Sequence, residues 1–218
     1  MYKLAVIGMA LSKSDSAKMH TFDFKGLGSE CTFDLLSVAK ENFDEYAKKL
    51  IAEYDAFCVT IPYKLDIIPY LDKIVDDAET FGAVNVVKDK IGYNTDGVGF
   101  MLMLEINGIE PGGKKVLVLG AGGAGRSVIK KLADAGADVY AYDMHAGNLD
   151  NVYRDFGCFT PLKALEPADY DIIINATGVG MHKTEGVSPV GEDILSRTRY
   201  AIDLIYYPRK SEFLRIAE

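Results

Sequence analysis

The sequence predicts an α/β protein in two parts, and three observations support this fold class. Apolar runs of strand length alternate with helical patterns along most of the chain, which is the rhythm of parallel strands joined by crossover helices. Pro111-Gly112-Gly113 forms the clearest break between these segments. A glycine-rich stretch follows the first strand-like run after that break. We therefore expect a mixed α/β domain over residues 1–100 and a second α/β domain over residues 101–218.

The first domain begins with strand-like runs that are separated by helical patterns. Each run is short, apolar and bounded by polar residues. The predicted strands span residues 4–7, 32–38 and 57–61, and the predicted helices lie near 16–26 and 42–53. Segments 83–87 and 91–94 are instead split by the polar Lys88-Asp89-Lys90, which is typical of an antiparallel hairpin. Their combination with the earlier runs predicts a mixed sheet.

An apolar helix is predicted across the domain boundary, over residues 98–106, and it ends at Asn107-Gly108. Four strand-like runs follow in the second domain, at residues 116–119, 139–142, 172–175 and 201–205. A strong helical pattern over residues 126–135 stops at Gly136, a residue type that favours the ends of helices. This order predicts parallel strands with crossover helices.

Composition and charge exclude several classes of function. The chain has 24 Lys and Arg against 32 Asp and Glu, and the net charge of −8 opposes binding to nucleic acid or acidic lipid. We find neither a membrane-span pattern nor a secretory signal, so we expect a cytoplasmic protein without a membrane partner. Cys31, Cys58 and Cys158 lack CxxC spacing, so we expect neither a disulfide framework nor a metal site.

The glycine-rich loop lies between a predicted strand and a predicted helix. Gly120 permits a tight turn, Gly122 lets the backbone approach a pyrophosphate, and Gly125 lets the helix lie close to the strand. Backbone N–H groups and the helix dipole then favour the anion. This context predicts a Rossmann-type dinucleotide-binding domain, and the alternative is a glycine-rich turn that binds no ligand. The loop residues predicted to bind the cofactor are Gly120, Ala121, Gly122, Gly123, Ala124 and Gly125.

An acidic residue closes the next predicted strand. Asp143 lies eighteen positions after Gly125, where a carboxylate can accept hydrogen bonds from the ribose hydroxyls of adenosine. The same carboxylate would repel the 2′-phosphate of NADP, and Met144-His145 supplies no arginine to neutralise that phosphate. We therefore expect NAD to be preferred over NADP. The alternative is that Asp143 only caps a helix or a turn.

Polar clusters follow the predicted strands of the first domain, where α/β sheets place their ligands. Taken in order with the glycine loop, six motifs resemble those of the shikimate dehydrogenase family, including its quinate/shikimate relatives. The motifs are Ser14-x-Ser16-x-x-Met19-His20, Val59-Thr60-Ile61-Pro62-x-Lys64, Gly82-Ala83-Val84-Asn85, Gly92-Tyr93-Asn94-Thr95-Asp96-Gly97-x-Gly99-Phe100, Asn175-Ala176-Thr177-x-Val179-Gly180-Met181 and Asp203-Leu204-x-Tyr206-x-Pro208.

The resemblance implies a reaction and a set of site residues. The reaction interconverts 3-dehydroshikimate and shikimate, or a close relative such as quinate, by hydride transfer with a nicotinamide cofactor. Lys64 and Asp96 would flank the reacting carbon, where a lysine ammonium can stabilise the developing alkoxide and donate its proton. The residues implied to bind the small polyhydroxylated carboxylate substrate are Ser14, Ser16, Thr60, Asn85 and Tyr206. Those implied to bind the nicotinamide half of the cofactor are Ala176, Thr177, Met181 and Leu204.

The sequence also departs from the family pattern. Cys58 stands where family members usually have Asn, Ala17 where they have Pro, and Gly178 where they have Ser. The sequence ends at Glu218, where the family continues through helices that return to the substrate domain. We therefore expect weaker substrate binding, and a homodimer could supply the missing surface. The alternative function is a nucleotide-binding protein or fusion remnant with little or no turnover.

Overall fold

The computed structural model describes residues 1–9, 11 and 15–218, apart from the side chain of His182. The chain divides into two compact units, a first unit over Met1–Thr95 and a second unit over Asp96–Glu218. Both units are α/β, as the sequence predicts.

The first unit is built on a mixed six-stranded sheet. Its strands are β1 (Tyr2–Gly8), β2 (Cys31–Ser37), β3 (Ala56–Val59), β4 (Lys73–Ile74), β5 (Val86–Lys88) and β6 (Ile91–Tyr93). Their order is β2-β1-β3-β5-β6-β4. Strand β1 pairs in parallel with β2 and β3, whereas β5 is antiparallel to β3 and β6. The helices of this unit are α1 (Ser16–Gly26), α2 (Phe43–Glu53) and α3 (Asp77–Phe81).

The predicted hairpin is confirmed as β5 and β6. Asp89 and Lys90 join the two strands with φ angles of 51° and 58°, as a two-residue type I′ turn requires. Strand β5 begins at Val86 rather than at residue 83. Asn85 precedes it and still pairs with both neighbouring strands, because its N–H donates to the Tyr93 carbonyl and its carbonyl accepts the Val59 N–H. Its Oδ1 accepts the Thr95 N–H at 3.0 Å.

The core of the first unit lies between the sheet and α2. Phe43, Ala47 and Leu50 recur at the spacing of one helical face, and all three are buried against the strands. Tyr63 is also fully buried, stacks on Phe43 with ring centroids 4.2 Å apart, and donates its hydroxyl to the Val38 carbonyl at 2.7 Å. The hydroxyl is thereby satisfied, so the large ring adds to the core at no polar cost.

The second unit is a Rossmann-type arrangement around a parallel five-stranded sheet. Its strands are β7 (Lys115–Leu119), β8 (Asp138–Tyr142), β9 (Thr160–Pro161), β10 (Ile172–Asn175) and β11 (Tyr200–Asp203), in the order β11-β10-β7-β8-β9. Its helices are α4 (Asp96–Ile106), α5 (Gly123–Asp134), α6 (Ala146–Phe156), α7 (Glu192–Leu195) and α8 (Glu212–Ala217). The strands β7 and β10 are fully apolar in their interior and buried, as expected for a sheet covered on both faces.

Element ends in the second unit differ from the prediction in two places. Helix α5 begins at Gly123 rather than at residue 126, because glycines of the loop form its first turn and their low helix propensity hides it. Strand β11 ends at Asp203 rather than at residue 205. The Asp203 carboxylate accepts the Ile205 N–H at 2.9 Å, and this bond turns the chain away from the sheet. The predicted stop at Gly136 is confirmed, with a φ of 79°.

Among the described residues, we find no helix with both the length and the apolar character needed to cross a membrane.

Candidate active site

The dinucleotide loop lies where the strand order of the second unit reverses. Strand β7 is paired with β8 on one side and β10 on the other, so a crevice opens beyond the carboxyl ends of β7 and β10. The loop that follows β7 fills this position with Gly120 at a φ of 95°. A Cβ at Gly125 would overlap the carbonyl oxygen of Gly120, whereas a Cβ at Gly122 would meet none of the described atoms within 4 Å.

These observations fit the predicted cofactor. Gly120 and Gly125 let the loop and the start of α5 close on each other, and Gly122 leaves room on the outer side for a pyrophosphate. The first N–H groups of α5 have no partner within the helix by geometry, so they can bind an anion at this place.

Asp143 follows β8, and its carboxylate accepts a hydrogen bond from the glycine loop. Its Oδ2 accepts the Ala121 N–H at 2.8 Å and the Asn148 Nδ2 at 3.2 Å. Its Oδ1 accepts the His145 N–H at 2.8 Å. The carboxylate therefore joins the glycine loop to the start of α6, and both of its oxygens are already engaged.

Arg126 lies in α5, close to the loop, and its charge is directed toward α6. The guanidinium donates to the Asp155 carboxylate at 2.7 Å and lies 5.4 Å from the centre of the Phe156 ring. Only about a fifth of its side chain is exposed, at 19%. Arg126 therefore holds α5 against α6.

A second loop packs against the glycine loop from the side of β10. A Cβ on Gly120 would lie 2.9 Å from Cγ2 of Thr177 and 3.1 Å from the Ala176 carbonyl carbon. Met181 closes the same loop, and its Cε lies 3.7 Å from the Cβ position of Gly178. The structure thus brings Ala176 and Thr177 beside Gly120, with Met181 farther along.

A cavity of about 400 Å³ in the second unit gathers three of the predicted site residues. Asp96, Ala124 and Leu204 all line this cavity. Asp96 lies in the first turn of α4, Ala124 lies in the first turn of α5, and Leu204 directly follows β11. The remaining lining is mostly apolar and comes from Phe100, Met103, Val128, Ile202 and Asp203. A largely apolar wall with a few polar groups suits an aromatic ring that carries a polar substituent.

In the first unit, Thr60, Lys64 and Asn85 converge near the carboxyl ends of β1 and β3. The Thr60 N–H donates to the Ile7 carbonyl at 2.9 Å, and the Asn85 carbonyl accepts the Val59 N–H at 2.8 Å. Lys64 is half-buried, and its carbonyl accepts the Val84 N–H at 2.8 Å, next to Asn85. Backbone pairing therefore fixes all three residues at one edge of the sheet.

The end of β1 also lies close to Thr60. A Cβ on Gly8, the last residue of β1, would lie 2.5 Å from Cγ2 of Thr60. Only glycine lets the end of β1 come so near. The Asn85 Nδ2 donates to Thr95 Oγ1 at 3.1 Å, so the amide is held in a defined orientation.

The start of α1 lies beside the same edge. His20 Nε2 is 3.7 Å from Cys58 Sγ, and the imidazole stacks on Phe33 with ring centroids 5.3 Å apart. Ser16 is one turn before His20 and so shares its helix face. Burial raises the pKa of the Cys58 thiol, which favours its neutral form. Ser14 lies outside the described residues.

Tyr206 belongs to the loop after β11 in the second unit. Its side chain is exposed, at 65%. Among the described residues that are predicted to bind substrate, it is the most exposed.

Sequence reasoning missed a polar network at the ends of β10 and β11. Asn175 and Asp203 are register partners, and the Asn175 Nδ2 donates to Asp203 Oδ1 at 3.1 Å. The buried Ser211 hydroxyl donates to the second carboxylate oxygen of Asp203. The available signal was a polar residue that ends each of two apolar strands. In the part of the chain that the structure describes, no group of three or more His, Cys, Asp or Glu side chains could hold a metal ion.

Comparison with known proteins points to one family. The profile of the shikimate dehydrogenase substrate binding domain matches residues 6–87. The NADP(+) shikimate dehydrogenase of Carboxydothermus hydrogenoformans is 36% identical over 227 residues, which cover 98% of this chain and 81% of that protein. That of Clostridium beijerinckii is 36% identical over 222 residues, with the same coverage of 98% and 81%.

Solved structures give the same result. Shikimate 5-dehydrogenase from Thermus thermophilus, in complex with NADP(H) and shikimate, has a TM-score of 0.91 and 30% identity. The similarity covers 100% of this chain and 84% of that one. A chorismate mutase/shikimate 5-dehydrogenase fusion protein from Clostridium acetobutylicum has a TM-score of 0.90 and 33% identity, and covers 100% and 82%.

These comparisons correct the cofactor prediction. The expectation that NAD is preferred is wrong, because the relatives are named as NADP(+) enzymes and a neighbouring structure holds NADP(H). The physical reason lies at Asp143. Its carboxylate oxygens accept hydrogen bonds from the N–H groups of Ala121 and His145. The carboxylate therefore stabilises the loop, and it is not reserved for the ribose hydroxyls of NAD.

The likeness extends over nearly all of this chain and about four fifths of the relatives' length. Identity of 36% over 98% of the chain, with a fold that superposes on solved members, shows that this chain belongs to the shikimate dehydrogenase family.

Proposed function

We propose that this enzyme interconverts shikimate and 3-dehydroshikimate with NADP(H), a step of aromatic amino acid biosynthesis. The function rests on the family and on two separate sets of site residues. The first unit presents a hydroxyl, an amide and an ammonium at one sheet edge, and the second presents the glycine loop and the Asp96 cavity.

The substrate is a small carboxylate with several hydroxyls, and most of the matching groups belong to the first unit. Thr60 and Asn85 would bind hydroxyls, because each offers both a donor and an acceptor. Ser14, Ser16 and Tyr206 would bind the carboxylate and the remaining ring oxygens. Backbone pairing holds Thr60 and Asn85 in place before substrate arrives, which lowers the entropy cost of binding.

Lys64 would act on the oxygen that changes its bonding. During reduction of the ketone its ammonium stabilises the developing alkoxide and gives it a proton, and during oxidation of the alcohol the neutral amine takes the proton back. Asp96 would accept a hydrogen bond from a hydroxyl of the substrate next to the reacting carbon. NADP(H), when bound, supplies or accepts the hydride.

The second unit would hold the cofactor along its strand ends. The residues Gly120, Ala121, Gly122, Gly123, Ala124 and Gly125 would bind the pyrophosphate. Asp143 would hold the glycine loop in its binding conformation, and the pocket for the nicotinamide half would include Ala176, Thr177, Met181 and Leu204. The open side of Gly122 is the observation that best supports this placement.

The cavity that joins Asp96 to Ala124 and Leu204 is the single observation that carries the proposal. Asp96, which is predicted to be catalytic, lines this cavity together with two residues that are predicted to bind the cofactor. A protein that only bound nucleotide would not need a carboxylate there.

Initial rates test the function directly. We expect oxidation of shikimate with NADP, and Lys64→Ala should lower kcat by about 10²–10⁴-fold, as loss of a general acid–base group does. The exposed Lys49 is a matched control, so Lys49→Ala should leave the rate unchanged. Quinate serves as the competing substrate. Binding of NADP without any turnover would instead support a nucleotide-binding protein that lacks catalysis.

A homodimer and a cytoplasmic location complete the proposal. Light scattering at several protein concentrations would establish the oligomeric state.

A further inference from the structure

We infer that Asn175 and Asp203 are positioning residues for the nicotinamide end of the cofactor, an inference that rests on the proposed function. They fix the loop of residues 176–181 through side-chain hydrogen bonds. Asn175 ends β10 and Asp203 ends β11, and the two are direct register partners in the parallel sheet.

The amide of Asn175 uses its donors and its acceptor to shape this loop. Its Oδ1 accepts the N–H of Thr177 at 3.1 Å and the Thr177 hydroxyl at 2.6 Å. Its Nδ2 donates to the Val179 carbonyl at 3.2 Å as well as to Asp203. Since Asn175 is fully buried, any movement of the loop would leave polar groups unsatisfied.

Asp203 anchors Asn175 from the other side. Its Oδ1 also accepts the Ile205 N–H at 2.9 Å, and its Oδ2 accepts the hydroxyl of Ser211. Ser211 is 1% exposed and caps α8 by accepting the Leu214 N–H at 3.4 Å. A chain of hydrogen bonds therefore runs from the start of α8 through Asp203 and Asn175 into the loop.

The far side of the loop is fixed by packing. Thr177 and Ala176 lie against Gly120, and a Cβ on Gly180 would lie 3.3 Å from Cδ1 of Ile205. The loop is thus bounded by the glycine turn on one side and by the polar network on the other. Moving the loop toward Gly120 would make it clash with the backbone of the glycine turn, and moving it the other way would break its hydrogen bonds to Asn175.

The strand order decides which half of the cofactor is affected. The glycine loop follows β7, so a dinucleotide bound there would extend its adenosine half toward β8 and its nicotinamide half toward β10 and β11. Hydride transfer is sensitive to geometry, because a misplacement of about 1 Å can cost about 10²-fold in rate. Loosening the loop of residues 176–181 should therefore lower kcat and the affinity for the nicotinamide half of the cofactor. The affinity for the adenosine half should not change.

The test compares Asp203→Ala with Asp171→Ala. Asp171 is a matched control because it lies just before β10 and its carboxylate accepts the Lys115 N–H at 2.9 Å, far from the loop. We expect Asp203→Ala to lower kcat by about 10²-fold. Its affinity for NADP should fall severalfold in titration calorimetry, with the affinity for adenosine 2′,5′-bisphosphate, which lacks nicotinamide, unchanged. Asp171→Ala should change neither kcat nor either affinity.

Two further variants keep the test decisive. Asp203→Asn keeps an oxygen that can accept from Asn175 and Ile205, so it should restore most of kcat. If Asp203→Ala does not fold, Ser211→Ala removes one partner of Asp203 and should lower kcat severalfold.

The inference is overturned if the variant that folds lowers both affinities equally, or if kcat is unchanged. Absence of shikimate turnover in the wild-type protein would contradict the proposed function alone. The ratio of the NADP and bisphosphate affinities would then still decide whether Asp203 positions the nicotinamide end.

Discussion

At the scale of single residues, the glycine loop offers the sharpest contrast in the molecule. Gly125 and Gly122 are three positions apart and have opposite surroundings. The space for a Cβ at Gly125 is taken by the backbone of Gly120, whereas the space at Gly122 is open. Gly125 therefore serves the packing of α5, and Gly122 leaves the space that the proposed function assigns to the cofactor.

Alanine substitutions at the two positions should therefore fail in different ways. Gly125→Ala must push backbone apart, which typically costs about 1–3 kcal/mol for an overpacked site. Its unfolding midpoint in urea should fall and NADP binding should be lost. Gly122→Ala should keep the wild-type midpoint, since its φ of −74° suits any residue, but bind NADP at least tenfold more weakly. Equal stability of the two variants would contradict this reading of the loop.

The sequence identified residues whose role depends on their neighbours along the chain. A glycine that must turn the chain or admit a helix is recognisable from its place between strand and helix, and both Gly120 and Gly136 have the expected positive φ. Asp143 was ambiguous, because the same carboxylate can accept from a ribose or from a backbone N–H. Asn175 and Asp203 lie 28 positions apart and meet only through strand pairing, so no local pattern predicted their contact.

At the scale of elements, Asp143 connects the end of β8 to both the glycine loop and α6. Removing its carboxylate takes the hydrogen-bond acceptor from Ala121, His145 and Asn148 together. The loss of acceptors for part-buried donors costs about 1–3 kcal/mol. The consequence should reach the cofactor, since the Ala121 N–H is part of the loop.

We therefore expect Asp143→Ala to lower the free energy of unfolding by about 1–3 kcal/mol and to weaken NADP binding. Urea denaturation and titration calorimetry measure the two effects. Asp150 provides the control, since it is exposed on the same helix α6, and Asp150→Ala should change neither. If Asp143→Ala were as stable as the wild type, the carboxylate would have no structural role.

The two-residue strands are the ones that the sequence did not predict. The predicted strands and helices correspond to β1, β2, β3, β5, β6, β7, β8, β10, β11, α1, α2, α4 and α5, with ends that moved by a few positions. Strands β4 and β9 have two residues each, which is too short for any periodic pattern to emerge. Their positions depend on pairing with β6 and β8, which the sequence alone does not specify.

At the scale of the whole molecule, the fold class followed from the alternation of elements, but the strand order did not. The strand orders are β2-β1-β3-β5-β6-β4 and β11-β10-β7-β8-β9. Each order depends on pairing between strands that lie far apart in the sequence. The order of the motifs along the sequence indicated the family without the strand orders, because it depends only on the order of residues in the chain.

Cofactor binding should also be visible in the stability of the whole chain. A ligand that binds only the folded state at a concentration of 100 times its Kd adds about 2.7 kcal/mol to stability. For a chain of this size that corresponds to a rise in Tm of roughly 5–10 °C. Thermal unfolding followed by circular dichroism should show this rise with NADP. Lys64→Ala should show the same rise, because Lys64 lies in the first unit, whereas Gly125→Ala should show none.

The contact between Gly125 and Gly120 also determines how this loop can vary under selection. Every residue other than glycine carries a Cβ, so at position 125 the smallest and the largest side chains are rejected by the same carbonyl oxygen. A library selected only for folding should therefore already be fixed at 125 and remain diverse at 122. Diversity at position 122 should disappear only when growth of the host depends on cofactor binding. Position 125 would then report selection for folding, and position 122 would report selection for binding of the ligand.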